Sequence, residues 1–233
     1  MIEFWKRLLF VRKCLFCGTL LTDSKEDVFC PKCRLEYEKM KRRACHLCGK
    51  THDDCGCVPT TLRPLVDAAV HLFAYEDSYS KTIIFRLKRK DYRPLQVFLG
   101  KELAEGLPGM SGYDITYAPR TPRSVRKYGF DQARALARVI GEEKGIPMVE
   151  MFSHANFSRL QKNLNLEERI DNAEKSYALK KRFVRKHDRL ILVDDVMTTG
   201  STMAKLVSLA KKAGYLSVTL VCVAITVHER EKS

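Results

Sequence analysis

The sequence predicts an α/β fold: a mostly parallel sheet with helices on both faces, preceded by a small, metal-dependent N-terminal ribbon. Three observations predict it. Eight of the nine cysteines fall between Cys14 and Cys57. From about residue 65, strand-like and helix-like segments alternate, the pattern that places parallel strands between covering helices. Near the C-terminus an apolar run, Leu190 to Val193, ends in Asp194 and Asp195 and then a turn rich in hydroxyls and glycine.

The elements follow in order. Residues 1–60 form one compositional unit, a double zinc ribbon, and 61–233 a second. The span 66–75 is rich in Val, Ala and aromatics and reads as a strand. Helices are expected over 80–90 and 94–105, and a short strand over 113–118, stopped by Pro119. Ala133, Leu136, Ala137 and Ile140 recur at helical spacing within 130–144, which Gly145 and Pro147 terminate. A strand is expected over 148–152, a polar stretch with weak helical character over 154–179, and a buried strand over 189–193. A helix over 203–212 and a last strand over 216–227 complete the alternation. Cys222, among Leu220, Val221 and Val223, reads as core.

The balance of 42 basic against 28 acidic residues gives a net charge of +14, which favours a polyanionic partner: nucleic acid, a phosphorylated ligand or an anionic membrane surface. A hydrophobic content of 45% excludes global disorder and collagen-like structure. No apolar run approaches the roughly 18 residues of a spanning helix. The start of the chain mixes Trp5, Leu8, Leu9 and Phe10 with Lys6, Arg7, Arg12 and Lys13, without the apolar segment or cleavage site of a secretory signal. A reducing cytoplasm is therefore the expected location, where paired cysteines read as metal ligands rather than disulfides.

Cys14 and Cys17, then Cys30 and Cys33, form two C-x2-C pairs, each able to point two thiolates at one tetrahedral ion. Cys45 and Cys48 repeat the pair, while Cys55 and Cys57 are separated by one residue. Zinc is the default metal for four sulfurs. The reading is two sites, Cys14/Cys17/Cys30/Cys33 and Cys45/Cys48/Cys55/Cys57, holding one or two structural ions. His46 or His52 replacing one sulfur, or an interleaved pairing, is equally compatible with the spacing. A region this small cannot bury a sufficient core, so metal binding supplies folding free energy. Lys39, Lys41, Arg42 and Arg43 beside Tyr37 offer either a basic contact surface or a solvated linker.

The strand–acids–turn–helix run over 190–202 places backbone N–H groups and hydroxyls at a helix N-terminus, where a phosphate binds well. Two acids at the strand end suit sugar hydroxyls or a magnesium shell. Together they read a ribose carrying a 5′-phosphate. The spacing departs from both the Walker A loop and G-x-G-x-x-G.

This run resembles the phosphoribosyl diphosphate motif of type I phosphoribosyltransferases. The resemblance implies that Asp194 and Asp195 contact the ribose hydroxyls and that Thr198, Thr199, Gly200, Ser201 and Thr202 cradle the 5′-phosphate. It also places a pyrophosphate-binding turn at Ala118, Pro119 and Arg120, with Arg120 as the contact and Arg123, Arg126 and Lys127 adding charge. The stretch from Arg126 to Gln132 is similar to the R-x-R-G-F-N-Q signature of the ComF family, differing at Lys127, Tyr128 and Asp131. Gln161 to Leu164 and Arg169 to Asn172 resemble a second segment of that family, and the cysteine pairs resemble its N-terminal zinc ribbon. On these motifs the chain is identified as a ComF-type protein. The resemblance implies single-stranded DNA handling during natural transformation, beside a helicase-like competence partner. The alternative it implies is a magnesium-dependent phosphoribosyltransferase using phosphoribosyl diphosphate and an unknown acceptor base. Basic residues Lys81, Arg86, Lys88, Arg89 and Lys90, and Lys180, Lys181, Arg182, Arg185, Lys186 and Arg189, are candidates for a DNA track, with Tyr92, Tyr128 and Phe130 as stacking candidates. The span 154–179, with Arg159, Gln161 and Arg169, is the candidate closing loop.

Overall fold

The computed structural model describes residues 12–21, 28–52, 54–89, 91–154 and 177–226. Four strands form its main sheet: β1 (Ala68–Ala74), β2 (Tyr113–Tyr117), β5 (Arg189–Met197) and β6 (Ser217–Ile225). Their order is β1-β6-β5-β2 and every pairing is parallel. β5 and β6 lie at the centre, which is why both read as continuous apolar runs.

Successive side chains leave opposite faces of a strand. Phe73, Ile191, Val193, Val221 and Val223 meet helices on one face: α2 (Ser78–Arg89), α3 (Arg93–Glu105) and α5 (Gln132–Lys144). Leu190, Leu192, Val218, Leu220 and Cys222 meet α6 (Ser201–Lys212) on the other. Helices thus cover both faces, and Cys222 is 1% exposed, within the core. α3 and α5 approach closely because Gly100 has no side chain; a Cβ there would lie 2.6 Å from Val139 Cγ1. Asp131 caps α5 by accepting from the Arg134 N–H, and Gly145 ends it at φ +65°.

The cysteine-rich segment contributes α1 (Pro31–Lys41), an element its composition did not announce. Pro31 starts it, in the first turn where no N–H is required. Tyr37 is fully buried against Phe29, Phe98 and Phe73, and its hydroxyl donates to Glu102 of α3. Further along, Val58 and Leu62 join the core on the α6 face, and Leu62 and Pro59 pack against Gly200.

The expected strand over 148–152 does not form. Met148 makes a single parallel bridge to Ile115, and Pro147 beside it has no N–H to extend a ladder. The chain pairs later instead, through β3 (Phe152–His154) and β4 (Tyr177–Leu179), an antiparallel pair. α4 (Pro122–Tyr128), capped by Thr121, precedes α5. Among the described residues no helix is long and apolar enough to cross a membrane.

Candidate functional site

The C-terminal ends of the parallel strands converge on the two acids. Asp194 and Asp195 lie in the C-terminal half of β5, before Val196 and Met197, and the Asp195 N–H donates to Asp194 Oδ1 at 2.8 Å. Burial and the adjacent Asp195 charge hold the Asp194 carboxyl well above the usual carboxylate range. Asp195 Oδ2 accepts from Gln132 Nε2 at 2.7 Å, and Asp195 Oδ1 lies 3.4 Å from Lys88 Nζ. Gly200 then turns the chain at φ +77°, a conformation costly for any residue with a Cβ, and α6 begins. Thr199 and Ser201 hydroxyls are 3.1 Å apart at that helix start. The first N–H groups of α6 have no intrahelical acceptor.

Arg120 follows β2. Its guanidinium donates to the Lys88 carbonyl at 2.8 Å and to the Phe130 carbonyl at 3.5 Å, and lies over the Tyr128 ring at 4.5 Å. Its N–H donates to Asp131 Oδ2 at 2.7 Å. A closed circuit of contacts results: Arg120 to Lys88, Lys88 to Asp195, Asp195 to Gln132, and through Asp131 back to Arg120. The β3–β4 pair adds a wall. His154 Nε2 is 2.9 Å from the Pro119 carbonyl, and its ring lies 4.6 Å from that of Tyr177. Burial and the Asp194 charge push the Tyr177 hydroxyl up to about 12.

A basic and aromatic surface runs outward from Arg120. Arg89 lies 4.9 Å from the Phe85 ring and 5.9 Å from the Tyr128 ring, and Lys127 lies 5.4 Å from the latter. Phe85 is 56% exposed, and it shares a concave patch with Lys81, Thr82, Arg86 and Arg89. Among the described residues no acid pairs with Lys81, Arg86, Arg89, Arg123, Arg126 or Lys127.

The eight clustered cysteines separate into two groups of four, Cys14/Cys17/Cys30/Cys33 and Cys45/Cys48/Cys55/Cys57, with ligand atoms inside each group within 4.8 Å of one another. The C-x2-C turns at Cys14 and Cys45 close the same way: the Gly18 N–H donates to Cys14 O at 3.1 Å and the Gly49 N–H to Cys45 O at 2.8 Å. Hydrogen bonding with Thr19 lowers the Cys17 thiol to about 6, toward the thiolate a metal requires, while burial raises that of Cys33. Four converging thiols free of disulfides fit one zinc ion per group. Neither histidine joins the second group: His46 approaches Glu76 at 3.7 Å, and His52 Nδ1 lies 3.2 Å from His71 Nε2.

Residues 124–233 match the model of the phosphoribosyl transferase domain family. Over 216 residues the chain is 26% identical to competence protein ComFC of Streptococcus pneumoniae (strain ATCC BAA-255 / R6), covering 87% of this chain and 94% of that protein. Two solved structures are more remote. The allosteric regulatory enzyme of purine biosynthesis is 20% identical over 55% of this chain, at TM-score 0.37, and the chain spans a quarter (25%) of its length. The purine phosphoribosyltransferase from Pyrococcus horikoshii Ot3 is 19% identical, at TM-score 0.32, covering 58% of this chain and 76% of that one. The fold rests on the family match and the parallel sheet: this chain is a type I phosphoribosyltransferase-like α/β protein with N-terminal cysteine clusters.

The acid pair, Thr198 to Thr202 and the Arg120 turn lie at one end of the sheet. The second basic stretch does not join them. Arg185 bonds the Gly214 carbonyl and pairs with Asp188, and Arg189 opens β5 at the opposite end. Lys180 pairs with Glu150 at 2.5 Å. The patch near Tyr37 is largely neutralised: Lys39 pairs with Glu36, Lys41 with Glu102, and Arg43 with Glu76 and Asp77. Tyr92 packs against the core rather than standing free to stack. Lys90, Arg159, Gln161 to Leu164 and Arg169 to Asn172 lie outside the described residues. Sequence reasoning missed Lys88 as a partner of Asp195, and His154 beside the Arg120 turn. Neither carries a local signal, since each reaches the site only through tertiary packing.

Proposed function

We propose that this chain is a competence-associated cytoplasmic protein that binds a ribose 5-phosphate ligand such as phosphoribosyl diphosphate and handles single-stranded DNA beside a helicase-like partner. In this reading Asp194 and Asp195 bind the ribose hydroxyls, Thr198, Thr199, Gly200, Ser201 and Thr202 hold the 5′-phosphate, and Arg120 shapes the diphosphate turn through its carbonyl contacts. Residues 1–60 act as a zinc ribbon and 61–233 as the ligand-binding unit. The observation that carries the DNA half is the set of cations without acidic partners beside Phe85 and Tyr128, next to the acid-pair site. Unpaired cations attract a phosphate backbone, and exposed rings stack bases regardless of sequence. The test is fluorescence anisotropy with a labelled oligonucleotide across a salt series. Affinity should fall steeply with salt, and a flat profile refutes DNA binding through this surface.

The second reading is transfer of the phosphoribosyl group to a nitrogenous acceptor. It is favoured by the recessed carboxylate pair at the strand ends. Magnesium, when bound with the diphosphate, would neutralise part of its charge, and stabilising the departing pyrophosphate would dominate the rate. Pyrophosphate release is measured with candidate bases, and replacing both Asp194 and Asp195 by Ala should abolish it. DNA binding that survives the same replacement separates the two functions.

A further inference from the structure

Lys88 stands in the last turn of α2, far in sequence from the acid pair, yet two of its atoms belong to the circuit around the site. Its carbonyl accepts from Arg120 Nη2 at 2.8 Å, which fixes the end of α2 against the turn after β2. Its ammonium lies 3.4 Å from Asp195 Oδ1. The two partners differ sharply in exposure: the Asp195 side chain is 5% exposed and that of Lys88 is 41%. A nearly buried carboxylate depends on a cation or donors to stay ionised. A half-exposed ammonium on a flexible stem has no matching need, since water already solvates it. The pair is thus built so that the cation can leave without cost to itself.

A second observation points to what would take over. Gln132 gives its Nε2–H to Asp195, but its Oε1 is buried without a hydrogen-bond partner. A buried acceptor left unmatched is destabilising, and a ligand hydroxyl would relieve it. The ligand-free site therefore holds an acceptor awaiting a donor and a carboxylate held by a provisional cation. A diphosphate entering beside two acids meets like charge, and needs an ammonium within reach.

We propose that Lys88 is a ligand-binding residue of this site: without ligand it neutralises Asp195, and with a ribose 5-phosphate diphosphate bound its ammonium donates to a diphosphate oxygen, freeing Asp195 Oδ1 to accept from a ribose hydroxyl beside the already unpartnered Gln132 Oε1. The inference rests on the phosphoribosyl-ligand half of the proposed function. No covalent bond changes; one ion pair is exchanged for another.

The experiment is calorimetric titration of the zinc-loaded full chain with phosphoribosyl diphosphate and with inorganic pyrophosphate, each across a magnesium series. Lys88→Met should weaken both ligands by about tenfold or more, the scale of a lost charge-assisted hydrogen bond. Lys88→Arg should recover part of that loss, and Lys212→Met, in the last turn of α6, should bind as the parent. Thermal unfolding is read in parallel. A lower midpoint with unchanged affinity makes Lys88 a merely structural partner of Asp195 and overturns the proposal. A parent protein that binds neither ligand overturns the phosphoribosyl reading and Lys88 with it, whereas equal binding by parent and Lys88→Met overturns Lys88 alone. Should Lys88→Met not fold, amine acetylation of the parent decides. Saturating phosphoribosyl diphosphate should protect Lys88 and leave Lys81 unchanged, and unprotected Lys88 refutes the exchange.

Discussion

Gly200→Ala perturbs the phosphate-loop candidate through two separable costs. Gly200 sits at φ +77°, ψ −1°. An L-residue held in the left-handed region costs roughly 1–2 kcal/mol. The second cost is steric. A Cβ at Gly200 would lie 2.7 Å from Leu62 Cδ1, 3.1 Å from Leu62 Cγ and 3.3 Å from Pro59 Cγ. Leu62 is fully buried, so its side chain cannot swing into solvent, and overpacking of this kind costs about 1–3 kcal/mol. The sum predicts a loss of about 2–5 kcal/mol. The assay is urea denaturation of the zinc-loaded protein, run as a double-mutant cycle with Leu62→Ala. Leu62→Ala alone should cost about 2–5 kcal/mol through its cavity. In that background Gly200→Ala should cost only the backbone share, about 1–2 kcal/mol. An equal cost in both backgrounds refutes the claim that Leu62 packs against the loop.

Gly100→Ala should destabilise the α3–α5 packing by about 1–3 kcal/mol, because its Cβ would lie 2.6 Å from Val139 Cγ1 and 2.7 Å from Val139 Cβ; Val139→Ala, which keeps the Cβ, should relieve only part of that in the same denaturation assay. Burial, then the His52 charge, lowers the His71 imidazole to about 4. The unfolded chain binds that proton below about 6.5, so stability should fall as pH drops from about 6.5 to about 4, by up to about 3 kcal/mol. His71→Gln should flatten this limb of the stability–pH curve, and an unchanged slope counts against the assignment. Burial pushes Asp114 up, but hydrogen bonds from Tyr215, Lys186 and His187 more than offset it, leaving its carboxyl below the usual range. Its contribution should be complete above about pH 4 and be lost as pH falls through the lowered value, so Asp114→Asn should remove that acid-side loss in thermal scans. Metal analysis should give about two zinc ions per chain, and a chelator should unfold the cysteine segment as read by loss of its circular dichroism.

Elements with strong periodicity were legible from the sequence. The apolar runs of β1, β5 and β6 and the spacing of Ala133, Leu136, Ala137 and Ile140 reflect burial, which local patterns record. α1 was not legible, because it is mostly polar, leaves Leu35 exposed, and is fixed by Tyr37 packing on Phe29, Phe73 and Phe98. The 148–152 span carried strand-like residues, yet one bridge to Ile115 was all the sheet edge offered. At the site, the acid pair and the Thr198–Thr202 turn stood out because they are contiguous. Lys88 read as one more surface cation, since its distance to Asp195 depends on where α2 ends, and the Arg120 contact with the Lys88 carbonyl fixes that end.

The strand order has a consequence for how the protein is made. β1 hydrogen-bonds only to β6, and the two are separated by nearly the whole of the α/β region. A nascent chain therefore carries β1, with the apolar Val70, Leu72 and Phe73, through the synthesis of every intervening element before its partner exists. Closing so long a loop is slow, and unpaired apolar strands invite association in the meantime. The cysteine clusters, both N-terminal to β1, have no such wait and can load metal while the sheet is still incomplete. The last strand made is thus a central one, and the acid pair on β5 acquires its finished surroundings only when β6 is seated between it and β1.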